Sequence, residues 1–389
     1  MIGRIFAYGF RSSFLLAGLG ALVLVPLWAL SFIVNTPLGT AWPPTLWHAH
    51  EMLFGFIASA IAGFLLTAVP SWTGHKGFAG RPLVILALLW ISARVLIATS
   101  AIWPAWLISI VDLAFLPTLA VLVARPLLRE RNRNTPLLGI LVSLWLVNVV
   151  FHVAVSQRNP PLASHALIIG IDIVLVLLTV IGGRIVPAFT TAALRQQGIE
   201  GVVRSSGVFT ALAIVSMVAV ALGDLFWENT RSAGVLAGIA AVVQTVRMAQ
   251  WASLRTWRQP IVWILHVAYA WLPVGLALKA VALLSGAAIS AFWLHALTIG
   301  ALTTMIVGVM TRASLGHTGR PLVVSPFITL AYVLLVAAAI VRVFGLSGLQ
   351  LNYPQVIALS AILWTAAFAL FLVVYVPILW GPRVDGKAG

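Results

Sequence analysis

Twelve apolar runs, each about long enough to cross a lipid bilayer, constrain the fold of this 389-residue chain more than any other feature. A helix needs about 20 apolar residues to cross roughly 30 Å of hydrocarbon. The connections between the runs are short. The sequence therefore predicts an all-α polytopic membrane helix bundle that forms a single transmembrane domain over residues 1–389. The predicted spans are residues 13–34, 47–70, 82–100, 103–124, 136–156, 163–187, 206–226, 233–250, 261–284, 290–311, 322–345 and 355–380.

The composition agrees with lipid as the solvent and narrows the possible metal sites. Hydrophobic residues make up 62% of the chain and charged residues only 8%, whereas soluble domains carry about 25% charged residues. Cysteine is absent, which excludes disulfides, thiolate metal sites, iron–sulfur clusters and haem attachment through C-x-x-C-H. Any metal must therefore be held by histidine, methionine, carboxylate or main-chain groups.

The basic residues indicate the orientation of the chain. If the N-terminus is cytoplasmic, most of the 23 Lys and Arg fall in cytoplasmic segments, and the external loops hold only Arg158 and Arg231. By the positive-inside rule, this asymmetry predicts that both termini are cytoplasmic. It also explains the net charge of +15 without a nucleic-acid partner.

The eight histidines fall into two layers. Imidazole is a common ligand of iron, copper and zinc, and several helices of a bundle can direct histidines at one point. The external layer as a group therefore predicts a metal or haem site, whereas the alternative for a single histidine, favoured for His75 and His165, is a helix-end residue bonded to water or a carbonyl. The external layer is His48, His50, His152, His165 and His295; the cytoplasmic layer is His75, His266 and His317.

Spacing limits how the first two histidines can act. His48 and His50 are two residues apart, so on a regular helix they point to nearly opposite sides. Both cannot ligate one ion unless the helix is distorted. Glu51 lies three residues after His48, on the same helix face, and is a candidate to orient the His48 ring or to carry a proton. The alternative is a first-turn carboxylate that complements the helix dipole.

Other ionisable residues at membrane depth are also candidates, because burying charge in lipid is expensive. Asp112 and Asp172 lie within spans, and Arg94 is a plausible partner for either. Proton relay and structural ion pairing are both open for these groups. Lys279 and Arg342 are expected to snorkel to the interface or to be paired.

Glycine-flanked basic residues on the cytoplasmic side suit an anionic group. Arg184 follows Gly182-Gly183, and Arg312 and Arg320 flank a short Gly-His-Thr-Gly segment. Arginine binds a haem propionate or a phosphate through two parallel hydrogen bonds, but the topology signal alone also explains Arg312 and Arg320. The chain has no P-loop or Rossmann fingerprint, so nucleotide-driven transport within it is not expected.

Several motifs together resemble the NnrS family of bacterial nitric-oxide-response membrane proteins. The most specific are WHAHEMLFGF at residues 47–56 and MTRASLGHTGR at residues 310–320. Between them lie GFLLTAVP at 63–70, WTG at 72–74, GGRIVPAFT at 182–190, and Leu265-His266 with Tyr269. The resemblance extends from Gly9 to beyond residue 320 and so covers nearly the whole chain.

The resemblance implies a multi-pass protein of the bacterial inner membrane that contains haem b and copper, has nitric oxide as ligand or substrate, and receives electrons from an unknown donor. An oxidoreductase similar to nitric-oxide reductases is expected, with a secondary transporter and a non-catalytic haem-, copper- or nitric-oxide-binding protein as alternatives. The candidate catalytic residues are Glu51, Asp112 and Asp172. The candidate cofactor and metal ligands are His50, His295, His48 and His152, with a second centre at His266 and His317, and Arg184, Arg312 and Arg320 facing propionates.

Overall fold

The computed structural model describes residues 2–36, 38–288 and 292–386. Within these ranges, twelve helices are long and apolar enough to cross a membrane, and no strand occurs, which confirms the prediction of an all-α polytopic bundle. The shortest predicted span, 233–250, is present as α8. The helices are α1 (Gly9–Val34), α2 (Pro44–Thr73), α3 (Arg81–Ala98), α4 (Ala105–Arg129), α5 (Leu137–Ser156), α6 (Pro160–Arg195), α7 (Gly207–Trp227), α8 (Arg231–Ala249), α9 (Pro260–Ser285), α10 (Trp293–His317), α11 (Pro326–Phe344) and α12 (Tyr353–Trp380).

The helices expose apolar side chains and bury many of their polar ones. Val121, Val242 and Val373 are each more than half exposed, while acidic residues such as Glu51 and Asp112 are buried. This distribution suits a protein whose outer surface contacts lipid, because hydrocarbon cannot satisfy polar groups.

Among the residues that the structure describes, helices α2, α4 and α10 depart from regular geometry. π-helical segments occupy Glu51–Ile57 of α2 and Ala296–Thr303 of α10, and each begins directly after a histidine. Helix α4 is interrupted at Ala114. Pro117 accounts for this break, because it has no N–H to donate to the carbonyl four residues earlier. Single-turn π segments are frequent at functional sites, so the one in α2 directs attention to His50.

The chain divides into two compact units. Unit 1 comprises Met1–Gly170, Arg312–Pro321 and Phe368–Gly389, and unit 2 comprises Ile171–Thr311 and Leu322–Ala367. Helices α6, α10 and α12 each contribute residues to both units. The prediction of a single transmembrane domain is not tested by this division and stays a prediction.

Within unit 1, the start of α1 is joined to the end of α12. The buried Arg11 guanidinium donates to the carbonyl oxygens of Leu379, at 2.7 Å, and Gly381, at 2.8 Å. Arg11 therefore lies in the first turn of α1 as a capping group, not in a solvated segment before it. The two helix ends lie on the same face, as an even number of spans requires. That this face is cytoplasmic stays a prediction.

Candidate functional site

Four neighbouring helices of unit 1, α2 to α5, bring six buried polar side chains into contact. Because α2 and α4 begin on the face where α3 and α5 end, the six residues lie roughly 6–12 Å from helix ends on that one face, at 1.5 Å per residue. The cluster therefore lies at a single depth, in the half of unit 1 that the topology prediction makes external. Its members are His50 and Glu51 on α2, Arg94 on α3, Asp112 on α4, and Asn148 and His152 on α5.

Asp112 is the centre of this cluster. Its Oδ1 accepts a hydrogen bond from Arg94 Nη2, so the expected pairing of these two residues is present. Its Oδ2 accepts from Asn148 Nδ2 at 2.7 Å, and lies 3.0 Å from His152 Nε2 and 3.3 Å from His50 Nε2. One carboxylate thus meets side chains from three helices, α2, α3 and α5.

The surroundings of His50 are those of a protonated ring. Its Nδ1 lies 3.2 Å from Glu51 Oε1, and its Nε2 lies 3.1 Å from Asn148 Oδ1. Both oxygens are acceptors, because Asn148 uses its amide N–H to donate to Asp112. A neutral imidazole has one N–H and would leave one of these contacts without a donor. With His50 protonated, two positive charges, His50 and Arg94, balance the carboxylates Glu51 and Asp112.

Arg94 connects the two carboxylates. Besides its bond to Asp112, its Nε lies 3.1 Å from Glu51 Oε2. Removing one member of a buried charge pair leaves an uncompensated charge, which is far more costly than the pair itself. The charge balance of the cluster is therefore a condition for its burial.

Three members of the cluster form a candidate metal site. His50, Asp112 and His152 each offer a ligand atom within 4.8 Å of the other two, and they are the one such group among residues 2–36, 38–288 and 292–386. Two imidazoles and one carboxylate suit non-haem iron, and imidazole also suits copper and zinc. Because a metal ligand must be unprotonated, a bound ion would take the place of a proton on His50.

The second ring nitrogen of each histidine, Nδ1, also contacts a polar side chain, as is usual at metal sites. His152 Nδ1 lies 3.1 Å from Ser109 Oγ, and His50 Nδ1 faces Glu51. Such partners fix the orientation of a ligating imidazole and tune its basicity. The donor set and its supporting contacts therefore fit a single metal ion.

A haem does not fit beside His50 in this arrangement. Trp42, Phe54 and Phe151 surround the ring, with centroid distances of 5.1, 4.9 and 4.7 Å. The void next to Arg94 and Asp112 measures about 10 Å³, close to the least that one water molecule needs. The packing thus leaves no space for a haem at His50, and ligation of a haem or a metal ion by His50 stays a prediction.

His48 points away from the cluster. Its ring stacks on Trp28 of α1 at a centroid distance of 4.2 Å. His48 and His50 thus lie on different sides of α2, as their spacing predicts, and the structure does not bring His48 to the ligand atoms of the cluster. His165, on α6, is half-buried.

The predicted partner of His50 lies in the other unit. His295 belongs to unit 2, at the start of α10, where its half-buried ring lies 6.3 Å from that of Phe292. Shared ligation by His50 and His295 stays a prediction.

The proposed second centre is not tested by the structure either, since His266 lies in unit 2 and His317 in unit 1. His266 Nδ1 lies 2.9 Å from Ser253 Oγ, and its Nε2 lies 2.8 Å from Thr190 Oγ1. Both of its ring nitrogens are therefore engaged by hydroxyl groups. The ring of His317 packs on Phe10 at 5.6 Å.

The Gly-Gly-Arg motif has a packing role that the sequence did not reveal. A Cβ at Gly183 would lie 2.0 Å from Arg247 Nη2. The buried Arg247 donates to Thr179 O at 2.9 Å and to the Tyr269 hydroxyl at 3.0 Å. A side chain at Gly183 would displace the Arg247 guanidinium from these two hydrogen bonds, while the neighbouring Arg184 is exposed on α6.

The remaining arginines of the predicted anion site are both half-buried in unit 1. These are Arg312 and Arg320. Contacts of Arg184, Arg312 and Arg320 with propionates stay a prediction.

Asp172 and the other two candidate acids, Glu51 and Asp112, belong to different units. Asp172 belongs to unit 2 and is near Asp224 and Lys279, whereas Arg94 pairs with Glu51 and Asp112. The prediction that Lys279 is paired is confirmed, because its ammonium group contacts Asp224 Oδ2. Asp224 itself was not among the predicted residues.

Two residues of the site escaped prediction although the sequence carries a signal for them. Asn148 precedes His152 by four residues, and Ser109 precedes Asp112 by three, so each pair shares a helix face. A polar residue one turn from a buried ionisable group in a span is a candidate partner. The shared face directs Asn148 and Ser109 into the cluster, where Asn148 contacts Asp112 and His50, and Ser109 contacts His152.

Comparison with known families agrees with the motifs. A family model described as NnrS protein matches residues 4–383, which include every residue of the cluster. No curated protein matches the chain.

Proposed function

The chain belongs to the NnrS family, and we propose that it binds nitric oxide at a metal ion held by His50, Asp112 and His152 in the bacterial inner membrane. Family membership supports a membrane protein of the nitric-oxide response, and twelve apolar helices make it multi-pass. The observation that carries the proposal is the set of three buried ligand atoms within 4.8 Å of one another.

The metal is proposed to be copper or non-haem iron. When bound, it would supply an open coordination position for nitric oxide, which histidine and carboxylate ligands leave available. Ser109 and Glu51 orient the two imidazoles, and Arg94 keeps the carboxylates compensated. The aromatic walls around His50 keep bulk water from the site, so the ligand set lies in a low-dielectric environment.

We further propose that the protein reduces nitric oxide. Reduction consumes protons as well as electrons, and Glu51 is placed to hold a proton, because its carboxylate contacts His50. The void beside Asp112 and Arg94 has room for about one water molecule, which offers a link for proton transfer. The electrons require a separate donor.

Haem b, which the family resemblance implies, needs a different location. We propose His295 as its ligand, because this histidine is half-buried and precedes a π-helical segment as His50 does. A normal reduced haem spectrum in His295→Ala would refute this assignment.

Metal content tests the site. Full-length protein, loaded with copper or iron and passed over a desalting column, should retain metal in the wild type and lose it in His50→Ala and His152→Ala. His75→Ala is the matched control, because His75 is exposed in a loop. Unchanged metal content in both cluster variants would refute the proposed site. A folded wild type that binds neither metal nor haem would favour the transporter alternative.

Nitric-oxide consumption tests the reaction. Reduced protein with an excess of electron donor should remove nitric oxide from solution beyond the amount that it can bind, as followed with an electrode. Uptake that stops at the amount of bound metal would leave a binding or sensing role and refute turnover.

A further inference from the structure

Unit 2 contains a group of buried charges of its own. Asp172 on α6, Asp224 on α7 and Lys279 on α9 are 2%, 2% and 1% exposed. The Lys279 ammonium contacts Asp224 Oδ2 and lies 4.6 Å from the centre of the Trp293 ring. Three spans thus contribute one charged group each to a buried cluster.

The hydrogen-bonding requirements of this cluster include a proton. The carboxyl groups of Asp172 and Asp224 are within hydrogen-bonding reach of each other. Asp172 Oδ2 is fully buried and has no donor among the described protein groups. Two ionised carboxylates offer only acceptors, so they cannot form a hydrogen bond. A proton on one carboxyl supplies the donor.

The charge balance of the cluster also requires one bound proton. Lys279 contributes one positive charge to the cluster, and Asp172 and Asp224 contribute two negative charges when both are ionised. With both aspartates ionised, the cluster would keep one negative charge without compensation inside the membrane, which is expensive. A single added proton makes the cluster neutral.

We propose that Asp172 and Asp224 share one exchangeable proton, so that unit 2 contains a proton-binding site distinct from the metal site of unit 1. Asp224 faces Lys279 and remains the charged member, while Asp172 carries the proton. On release, the O–H bond of Asp172 breaks, the proton leaves to water, and Lys279 remains as counter-ion to two carboxylates. This proposal does not rest on the proposed nitric-oxide chemistry.

The cluster lies near one face of the membrane. Asp224 is three residues before the end of α7 at Trp227, and Lys279 is six residues before the end of α9 at Ser285. These spacings correspond to roughly 5 and 9 Å of helix, and both helices end on the same face. Asp172 lies 12 residues after the start of α6 at Pro160, roughly 18 Å along the helix, so exchange of its proton with the aqueous phase at that face runs past Asp224. Buried ionisable groups of this kind mark proton pathways in membrane proteins.

Infrared spectroscopy detects the proton directly. Full-length protein in lipid nanodiscs should show the C=O stretch of a protonated carboxylic acid, and this band should shift to lower frequency in D₂O. The band should disappear in Asp172→Asn and persist in Asp172→Glu. Ser216→Ala is the matched control, because Ser216 is a buried polar residue of α7, and it should leave the band unchanged.

A second pair of variants separates proton binding from a purely structural ion pair. Asp224→Asn leaves Asp172 as the carboxyl group that balances Lys279, so Asp172 should ionise and its infrared band should disappear. Lys279→Met in the same chain removes that counter-charge and should bring the band back. The double variant should keep the infrared band of Asp172 at a shifted frequency, because its hydrogen-bond partner has changed.

Three results would overturn the proposal. One is a band that Asp172→Asn leaves intact in folded protein. Another is the absence of the band from the wild type throughout the pH range in which it is folded. The third is a band that sodium chloride abolishes and choline chloride does not, since this would identify a metal cation as the ligand in place of the proton.

Discussion

Replacing Arg94 with methionine should destabilise the protein through an uncompensated negative charge. Arg94 contacts Glu51 Oε2 at 3.1 Å and hydrogen-bonds Asp112. Without the guanidinium, two buried carboxylates face one imidazolium, His50. Breaking a buried pair in this way costs about 3–5 kcal/mol. Methionine retains most of the side-chain volume, so the loss is electrostatic and not a cavity effect.

A compensating substitution tests this reasoning. Glu51→Gln in the same chain removes one negative charge, so Asp112 and His50 again balance. Residues of one network show coupling free energies of about 0.5–3 kcal/mol, and the double variant should therefore be more stable than Arg94→Met alone. Arg129→Met is the matched control, because the Arg129 side chain is 81% exposed and exposed ion pairs contribute about 0–1 kcal/mol.

Thermal unfolding in detergent, followed by the fluorescence of the 16 tryptophans, provides the measurement. A chelator should be present, because bound metal would stabilise the variants unequally. The unfolding should be compared at one scan rate, since it is often irreversible in large proteins. If Arg94→Met unfolds at the wild-type temperature, or if Glu51→Gln lowers its stability further, the charge-balance account of the cluster is wrong.

Three further predictions follow from other features of the molecule. Because copper must displace one proton from His50, its affinity should fall about tenfold for each unit by which the pH is lowered. Competition with a chelator at several pH values measures the affinity. An affinity that does not depend on pH would contradict the displacement of a proton from His50. Gly183→Ala should lower the free energy of unfolding by about 1–3 kcal/mol through overpacking against Arg247. Gly182→Ala should be tolerated, because the nearest atom to its added Cβ would lie at 3.6 Å. Equal unfolding temperatures for the two variants would disprove this. Reporter fusions after Glu130 and at the C-terminus should report cytoplasm and one after Gly286 the external side, and an external signal after Glu130 would reverse the orientation.

Much of the fold could be predicted from the sequence, because in lipid a spanning segment must satisfy its own backbone hydrogen bonds. Length and hydropathy then identify each span without knowledge of its neighbours. Even α8, the shortest predicted run, lies within a residue or two of its predicted bounds at Arg231–Ala249. The same cost of burying charge singled out Glu51, Arg94 and Asp112 as candidates, and the spacing of two residues placed His48 and His50 on different sides of α2.

The partners of these groups were decided by tertiary structure alone. Which helix lies beside α4 depends on the packing of whole helices, and nothing in a single span records it. Arg94 was compatible with Asp112 or Asp172, and only the packing of α2 to α5 joined it to Asp112 and Glu51, while Asp172 packed with Asp224 and Lys279. Sequence thus determined which residues bear charge in the membrane, because solvation is a local property. Packing determined which charges compensate one another, because Coulomb interactions depend on distances between helices.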